Sequence, residues 1–197
     1  MITGLLIAAG LSKRMGFNKA LLSYNNLTFT SCIIIKLLTI CDNVTVVLGH
    51  ESKIVKEKVL SELKVENIPL EKIKFIVNED YMNGMFTSLQ MGIKSISKAD
   101  WIMYHFVDQP QIPVSFYSHF EEEIDPNYDW IQPIYGERKG HPVIFNSNIC
   151  KEIEFALAGK NLKQIIQLGH FKKKYFPCNT SSIIEDIDVA EDYQKLF

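Results

Sequence analysis

The chain has 197 residues, 47% hydrophobic and 22% charged, enough apolar material for a substantial core and too much for disorder. Its formal net charge of -2 excludes a surface dedicated to nucleic acid or to a membrane, so any basic site is local and suits a small anion. The four cysteines, Cys32, Cys41, Cys150 and Cys178, show no C-x-x-C pair and no His at metal-ligand spacing, so free, mostly buried thiols are expected.

The run Gly4 to Ala9 is apolar, short and followed at once by Gly10, which predicts a buried strand ending at a turn. No basic region precedes it, and it is too short for a signal sequence or a membrane span, so a reducing, cytoplasmic setting is expected. A helix is predicted over Phe29 to Ile40, although its β-branched run argues against it. Asn43 to Leu48 reads as a second buried strand, and Ser52 to Leu63 as a charged helix. Lys72 to Val77 and Trp101 to Val107 are further strands, with a helix over Gly84 to Ile96 between them and another over Pro113 to Glu123. Alternation of this kind predicts an α/β fold with a mostly parallel sheet, helices on both faces, and ligands at the carboxyl ends of the strands.

Beyond Asp129 the alternation breaks. Trp130 to Tyr135 and Pro142 to Phe145 are short strands joined through Gly136 to His141, a small hairpin extension. Helices are expected over Asn146 to Phe155, Asn161 to Gly169 and Val189 to Leu196, with weak strand pieces at Tyr175 to Pro177 and Ser182 to Ile184. No repeat or linker interrupts the chain, so one domain over residues 1–197 is expected.

The loop after the first strand carries the strongest chemical signal. Ala8, Ala9, Gly10 and Ser12 have little side-chain bulk, so backbone N–H groups can approach an anion, and Arg14 and Lys19 add two cations. A plain strand-to-loop turn with solvated basic residues would look similar, but the combination with Gly16 favours a phosphate site. No Gly-Lys-Ser/Thr follows, so this is not a Walker loop. Asp108, at the carboxyl end of the fourth strand, is placed either to hold a divalent cation or to cap the following turn.

From Ala8-Ala9-Gly10 through Lys19 the chain resembles the signature loop of nucleotidyltransferases, in particular the molybdenum cofactor cytidylyltransferase and guanylyltransferase group, a MobA-like NTP transferase family. The resemblance implies a Rossmann-like nucleotidyltransferase fold and a loop that wraps a nucleoside triphosphate, with Arg14 and Lys19 neutralising it. By the same resemblance, Val107-Asp108-Gln109-Pro110 is a Mg²⁺-binding segment and Asp108 a catalytic residue. Asp188, in Glu185 to Asp192, matches the second metal ligand, although Val189-Ala190 replaces the Thr-Pro usual there; helix capping is the alternative for it, and Asp186 the rival ligand.

Asn78, Gly84 and Ser88 sit around a helix start that offers free N–H donors, and the resemblance makes them nucleotide contacts, against simple capping by Asn83 or Thr87. Gly140 and His141 resemble the segment on the acceptor side, where His141 binds or orients a pterin phosphate or serves only structure. His50 matches a family position as well, but a turn role suits it better. Lys172-Lys173-Lys174 is read as a solvated strand edge. The implied reaction is CMP transfer from CTP, or transfer from another NTP, to molybdopterin with Mg²⁺, and the product would serve a molybdoenzyme. Guanylyl transfer, sugar-phosphate nucleotidyl transfer and a non-catalytic cofactor chaperone are the alternatives.

Overall fold

The computed structural model describes residues 1–157 and 159–197. In chain order the elements are β1 (Ile2–Ala8), β2 (Ser23–Tyr24), β3 (Leu27–Thr28), α1 (Phe29–Leu37), β4 (Asn43–Leu48), α2 (Ser52–Val65), β5 (Ile73–Val77) and α3 (Met85–Ser95). They continue as β6 (Trp101–Phe106), α4 (Val114–Glu121), β7 (Trp130–Tyr135), β8 (Arg138–Lys139), β9 (Val143–Asn146), α5 (Ser147–Glu154), α6 (Leu162–Leu168), β10 (Lys173–Pro177) and α7 (Ala190–Gln194). The main sheet runs β10-β7-β9-β6-β1-β4-β5, with β8 paired to β7. Every neighbour pair along that path is parallel except those of β9, which runs antiparallel to both β6 and β7.

Alternation along the central strands explains the layers. On β1, Leu6 and Ala8 face a core shared with α1, α2 and α4, while Leu5 and Ile7 face a second core shared with α3, α5 and α6. Strands buried on both faces need near-continuous apolar runs, which is why β1 and β4 read so clearly in the sequence. Helix α1 forms despite Ile33, Ile34 and Ile35 because one sheet face buries Ile33, Ile34 and Leu37 completely, and packing overrides propensity. It ends at Leu37, short of the expected Ile40, and Thr28 caps its start by accepting from the Ser31 N–H.

The hairpin expected between residues 130 and 145 forms, but its returning strand β9 is laid between β7 and β6, so it widens the main sheet. The separate hairpin β2–β3 leads into α1 and was not expected. Residues Ser182 to Ile184, read as a strand piece, form a 3-10 turn instead. The Ile183 carbonyl there accepts from the His141 N–H at 2.9 Å and from Gln109 Nε2 at 3.0 Å, so the segment is pinned across the sheet's end. All four cysteines are free, and burial pushes the Cys32 thiol up to about 11 and Cys150 up to about 12. Among the described residues no helix is long and apolar enough to cross a membrane.

Glu62 ties α2 to the start of α1. Its Oε2 accepts from Thr28 N at 2.9 Å, Thr28 Oγ1 at 2.8 Å and Ser31 Oγ at 2.7 Å, and Lys58 Nζ lies 3.2 Å from Oε1. Burial opposes ionisation of Glu62, but these donors outweigh it and hold the carboxyl below its usual range. A depressed folded-state pKa gives stability that is present above the ordinary carboxylate range and lost as pH falls through the folded value. Urea melts of Glu62→Ala should therefore show a loss of about 2 kcal/mol at pH 7. The gap to wild type should narrow below about pH 4 as the wild-type carboxylate is protonated.

Candidate active site

The loop between β1 and Lys19 is built by local hydrogen bonds. Ser12 takes a left-handed backbone, φ 50°, its carbonyl accepts from Met15 N at 3.0 Å and Gly16 N at 3.2 Å, and its Oγ accepts from Lys19 N at 3.0 Å. Gly16, at φ 76°, supplies the return turn. Asn18 then fastens the loop to the end of β4, its Nδ2 donating to the His50 carbonyl at 3.2 Å and to Glu51 Oε2 at 3.1 Å. His50 takes part through its backbone, its N–H donating to the Ala9 carbonyl at 3.3 Å, which fits the expected turn role.

Gly49 is the tightest point of this arrangement. A Cβ there would lie 2.6 Å from the Ala9 carbonyl oxygen and 2.8 Å from the Tyr81 side chain. Gly49→Ala should therefore displace the loop and cost about 1–3 kcal/mol in a denaturant melt.

The loop faces a cavity of about 330 Å³ lined by Ala8, Ala9, Gly10, Ser12, Arg14, Lys19, Ser88, Asp108 and Asp188, so residues from four distant stretches of the chain converge on it. Lys19 is the centre of its charge. It is only 8% exposed, with Nζ 2.5 Å from Asp188 Oδ1 and 3.5 Å from Asp108 Oδ2. Arg14 Nη2 lies 2.8 Å from Asp188 Oδ2. Asp188 is not the helix cap: Asp192 Oδ2 takes that role, accepting from Asp188 N at 3.1 Å and Val189 N at 3.2 Å. Asp186 points elsewhere, its Oδ1 accepting from Gln109 Nε2 at 2.9 Å.

Burial pushes the Asp108 carboxyl up to about 6; Lys19 opposes that shift and the charges of Asp186 and Asp188 add to it. Burial likewise works against Asp188, but the hydrogen bond and charge of Lys19, aided by Arg14, outweigh it and hold that carboxyl below its usual range. Asp108 Oδ1 is buried without a partner. Two carboxylates on either side of one ammonium, one oxygen orphaned, are hard donors that suit Mg²⁺. Among the described residues no three His, Cys, Asp or Glu side chains converge as a metal cage, so phosphate oxygens and water would complete the shell.

Asn78 does not line the cavity. Its Nδ2 donates to Thr87 Oγ1 and Ser88 Oγ, both at 2.9 Å, and its Oδ1 accepts from Asp80 N at 3.0 Å, so it holds Ser88, which does line the cavity. Gly84, the residue before α3, lines a second cavity of about 630 Å³. This one is walled by Tyr104, Phe106, Trp130 and Tyr175, rimmed by Lys139, Lys163 and Lys173, and shares Met85 and Phe106 with the first.

His141 lines the second cavity, its ring centroid 4.5 Å from that of Phe106 and its Nδ1 buried without a partner. Burial lowers its pKa to about 4, so the imidazole is neutral at pH 7. Gly140 lines neither cavity; it lets the chain pass Ile183, whose carbonyl oxygen would lie 2.6 Å from a Cβ at 140. The lysine run divides: β10 is a sheet edge as expected, Lys174 pairs with Glu123 at 2.9 Å, and Lys173 reaches the cavity rim.

Several lining or supporting residues were not anticipated. Tyr81 and Phe106 line the first cavity but carry no chemical signal in the sequence. Gln109, 1% exposed, joins the Asp108 turn to the closing segment through its bonds to Ile183 and Asp186. Its position beside Asp108 was the only available signal.

A glycine-punctuated cationic loop at the end of a central parallel strand, with carboxylates from two other segments opposite it, defines an α/β nucleotidyltransferase. The sequence matches the MobA-like NTP transferase domain over residues 4–174, and the chain belongs to that family. A Bacillus cereus (strain Q1) relative, a probable molybdenum cofactor guanylyltransferase, is 30% identical over 96% of this chain and 88% of its own length. The nicotine blue oxidoreductase of Paenarthrobacter nicotinovorans is 26% identical (99% and 96% covered), and the Escherichia coli K12 molybdenum cofactor cytidylyltransferase 23% identical (96% and 92%). Rv0371c from Mycobacterium tuberculosis H37Rv shares the fold with a TM-score of 0.80 at 23% identity, covering 99% of this chain and 96% of that one. The same protein has been solved with manganese, at a TM-score of 0.75 and 22% identity over 99% of this chain and 97% of that one.

Proposed function

We propose that this chain transfers CMP from CTP to molybdopterin, releasing pyrophosphate. The observation that carries the reading is the junction of the two cavities at Met85 and Phe106: one holds the cationic loop and carboxylates, the other an aromatic slot with a lysine rim. A triphosphate in the first and a flat heteroaromatic acceptor in the second would meet at that wall.

In this reading Ala8, Ala9, Gly10 and Ser12 present backbone to the phosphates, and Arg14 and Lys19 exchange Asp188 for phosphate oxygens. Ser88, held by Asn78, contacts the nucleotide where α3 begins. Asp108 and Asp188 would hold Mg²⁺, which when bound supplies charge neutralisation on the phosphates. The acceptor's own phosphate oxygen attacks the α-phosphorus in line; the bond from that phosphorus to the bridging oxygen breaks, and the electron pair leaves with pyrophosphate. The attacking group is already anionic at neutral pH, so no base is required, and a neutral His141 suits orientation of the acceptor better than proton transfer. Lys19 stabilises charge growing on the phosphates in the transition state.

Guanylyl transfer is the second reading, favoured by the name of the Bacillus cereus relative. One assay separates them: pyrophosphate release from CTP, GTP, ATP and UTP with Mg²⁺, with and without molybdopterin. The reading expects release with CTP that depends on molybdopterin. Release with GTP alone would replace it by the guanylyl reading, and silence with every nucleotide in the presence of active acceptor would overturn both.

A further inference from the structure

The two cations that a triphosphate needs are already taken. Arg14 and Lys19 both pair with the two oxygens of Asp188, at 2.8 and 2.5 Å. The pairing does not depend on the ions alone. The Ile187 N–H donates to the Asp108 carbonyl at 2.9 Å on one side of Asp188, and Asp192 accepts from the backbone of Asp188 and Val189 on the other. Behind them Gln109 grips Ile183 and Asp186, and Gln111 Nε2 donates to the Glu185 carbonyl at 2.6 Å. The carboxylate is therefore fixed against the loop by a backbone strap and cannot simply swing away when an anion arrives.

We propose that Asp188 is a specificity determinant that stands in for phosphate on Arg14 and Lys19 and makes the loop select metal-complexed triphosphate over free triphosphate. The proposal rests on the loop being the triphosphate site. A free nucleotide that captured Arg14 and Lys19 would leave Asp188, and beside it Asp108, facing the phosphates with no cation between them. Like charges so placed in a half-buried cleft repel strongly. A divalent cation held by Asp108 and Asp188 would supply the missing positive charge and turn the same contact into an attraction. Arg14, 71% exposed at its side chain, exchanges partners at little cost; Lys19, buried, never loses a counter-charge in either state.

The test is equilibrium binding of CTP and of GTP by calorimetry, in excess chelator and in Mg²⁺, to wild type and Asp188→Asn. Wild type should bind the nucleotide much more weakly in chelator than in Mg²⁺. The variant should bind metal-free nucleotide about tenfold more tightly than wild type and lose most of the Mg²⁺ dependence. Asp192→Ala, which releases the strap and keeps the carboxylate, should shift metal-free binding in the same direction by less, and it carries the test if Asp188→Asn fails to fold. Metal-free binding that is unchanged or weaker in the folded variants overturns this proposal while leaving the triphosphate site standing. Wild type that binds neither nucleotide under either condition overturns the site as well.

Discussion

Replacing Asp108 by asparagine should lower the rate of pyrophosphate release by about a thousandfold, the scale of removing one preorganised electrostatic group from a transition state. Stability should hardly suffer. The Asp108 carboxyl is buried, raised to about 6 and repelled by Asp186 and Asp188, so an uncharged amide of the same shape relieves a cost. Thermal melts in chelator should show the variant's midpoint unchanged or higher, while single-turnover kinetics with Mg²⁺ show the loss. Undiminished turnover would remove Asp108 from the chemistry.

Lys19→Met should fail in both respects. Lys19 is the buried cation between two carboxylates, and its loss leaves Asp108 and Asp188 facing each other without a counter-charge. Breaking such a pair from one side costs about 3–5 kcal/mol, which urea melts would register directly. The rate should also fall by a hundredfold or more, on the order of a lost charge-stabilising donor. Arg14→Ala is the contrast: its exposed pair with Asp188 contributes under about 1 kcal/mol, so the melt should hardly move while triphosphate affinity falls. A Lys19 variant as stable as wild type would contradict the electrostatic account of the cleft.

What the sequence discloses here follows from how local the causes are. The strands β1, β4 and β6 are legible because burial on both faces demands continuous apolar runs, and the loop is legible because Gly10, Ser12, Gly16 and the two cations lie within one short stretch. The roles of the residues in the cleft are less legible. That Asp188 and not Asp186 meets Lys19 depends on which way two residues of one acidic run point, and the run itself does not state it. Asn78 was anticipated at the ligand and lies behind Ser88, because hydrogen bonds within its own turn and helix consume its side chain. The 3-10 turn at Ser181–Ile184 is pinned by His141 and Gln109, more than 40 residues earlier, and β9 enters the main sheet by pairing with β6 as well as with its hairpin partner β7, which no local pattern carries.

The aromatic slot shows the same limit. Tyr104, Trp130, His141 and Tyr175 come from different strands and turns, and only the sheet order brings them to one wall. The cationic rim behaves similarly, since Lys173 belongs to a run that reads as an edge and yet faces the cavity.

The central claim is that the bond broken lies between the α-phosphorus and the β-bridging oxygen and that the nucleoside monophosphate passes to the acceptor. It is tested most directly by incubating the protein with Mg²⁺, molybdopterin and CTP labelled with ³²P at the α or the γ position in parallel reactions. Nucleotidyl transfer predicts α-label in a molybdopterin-containing product and γ-label only in pyrophosphate. Release of γ-label as orthophosphate, or α-label that stays in free nucleotide while pyrophosphate accumulates, would contradict it.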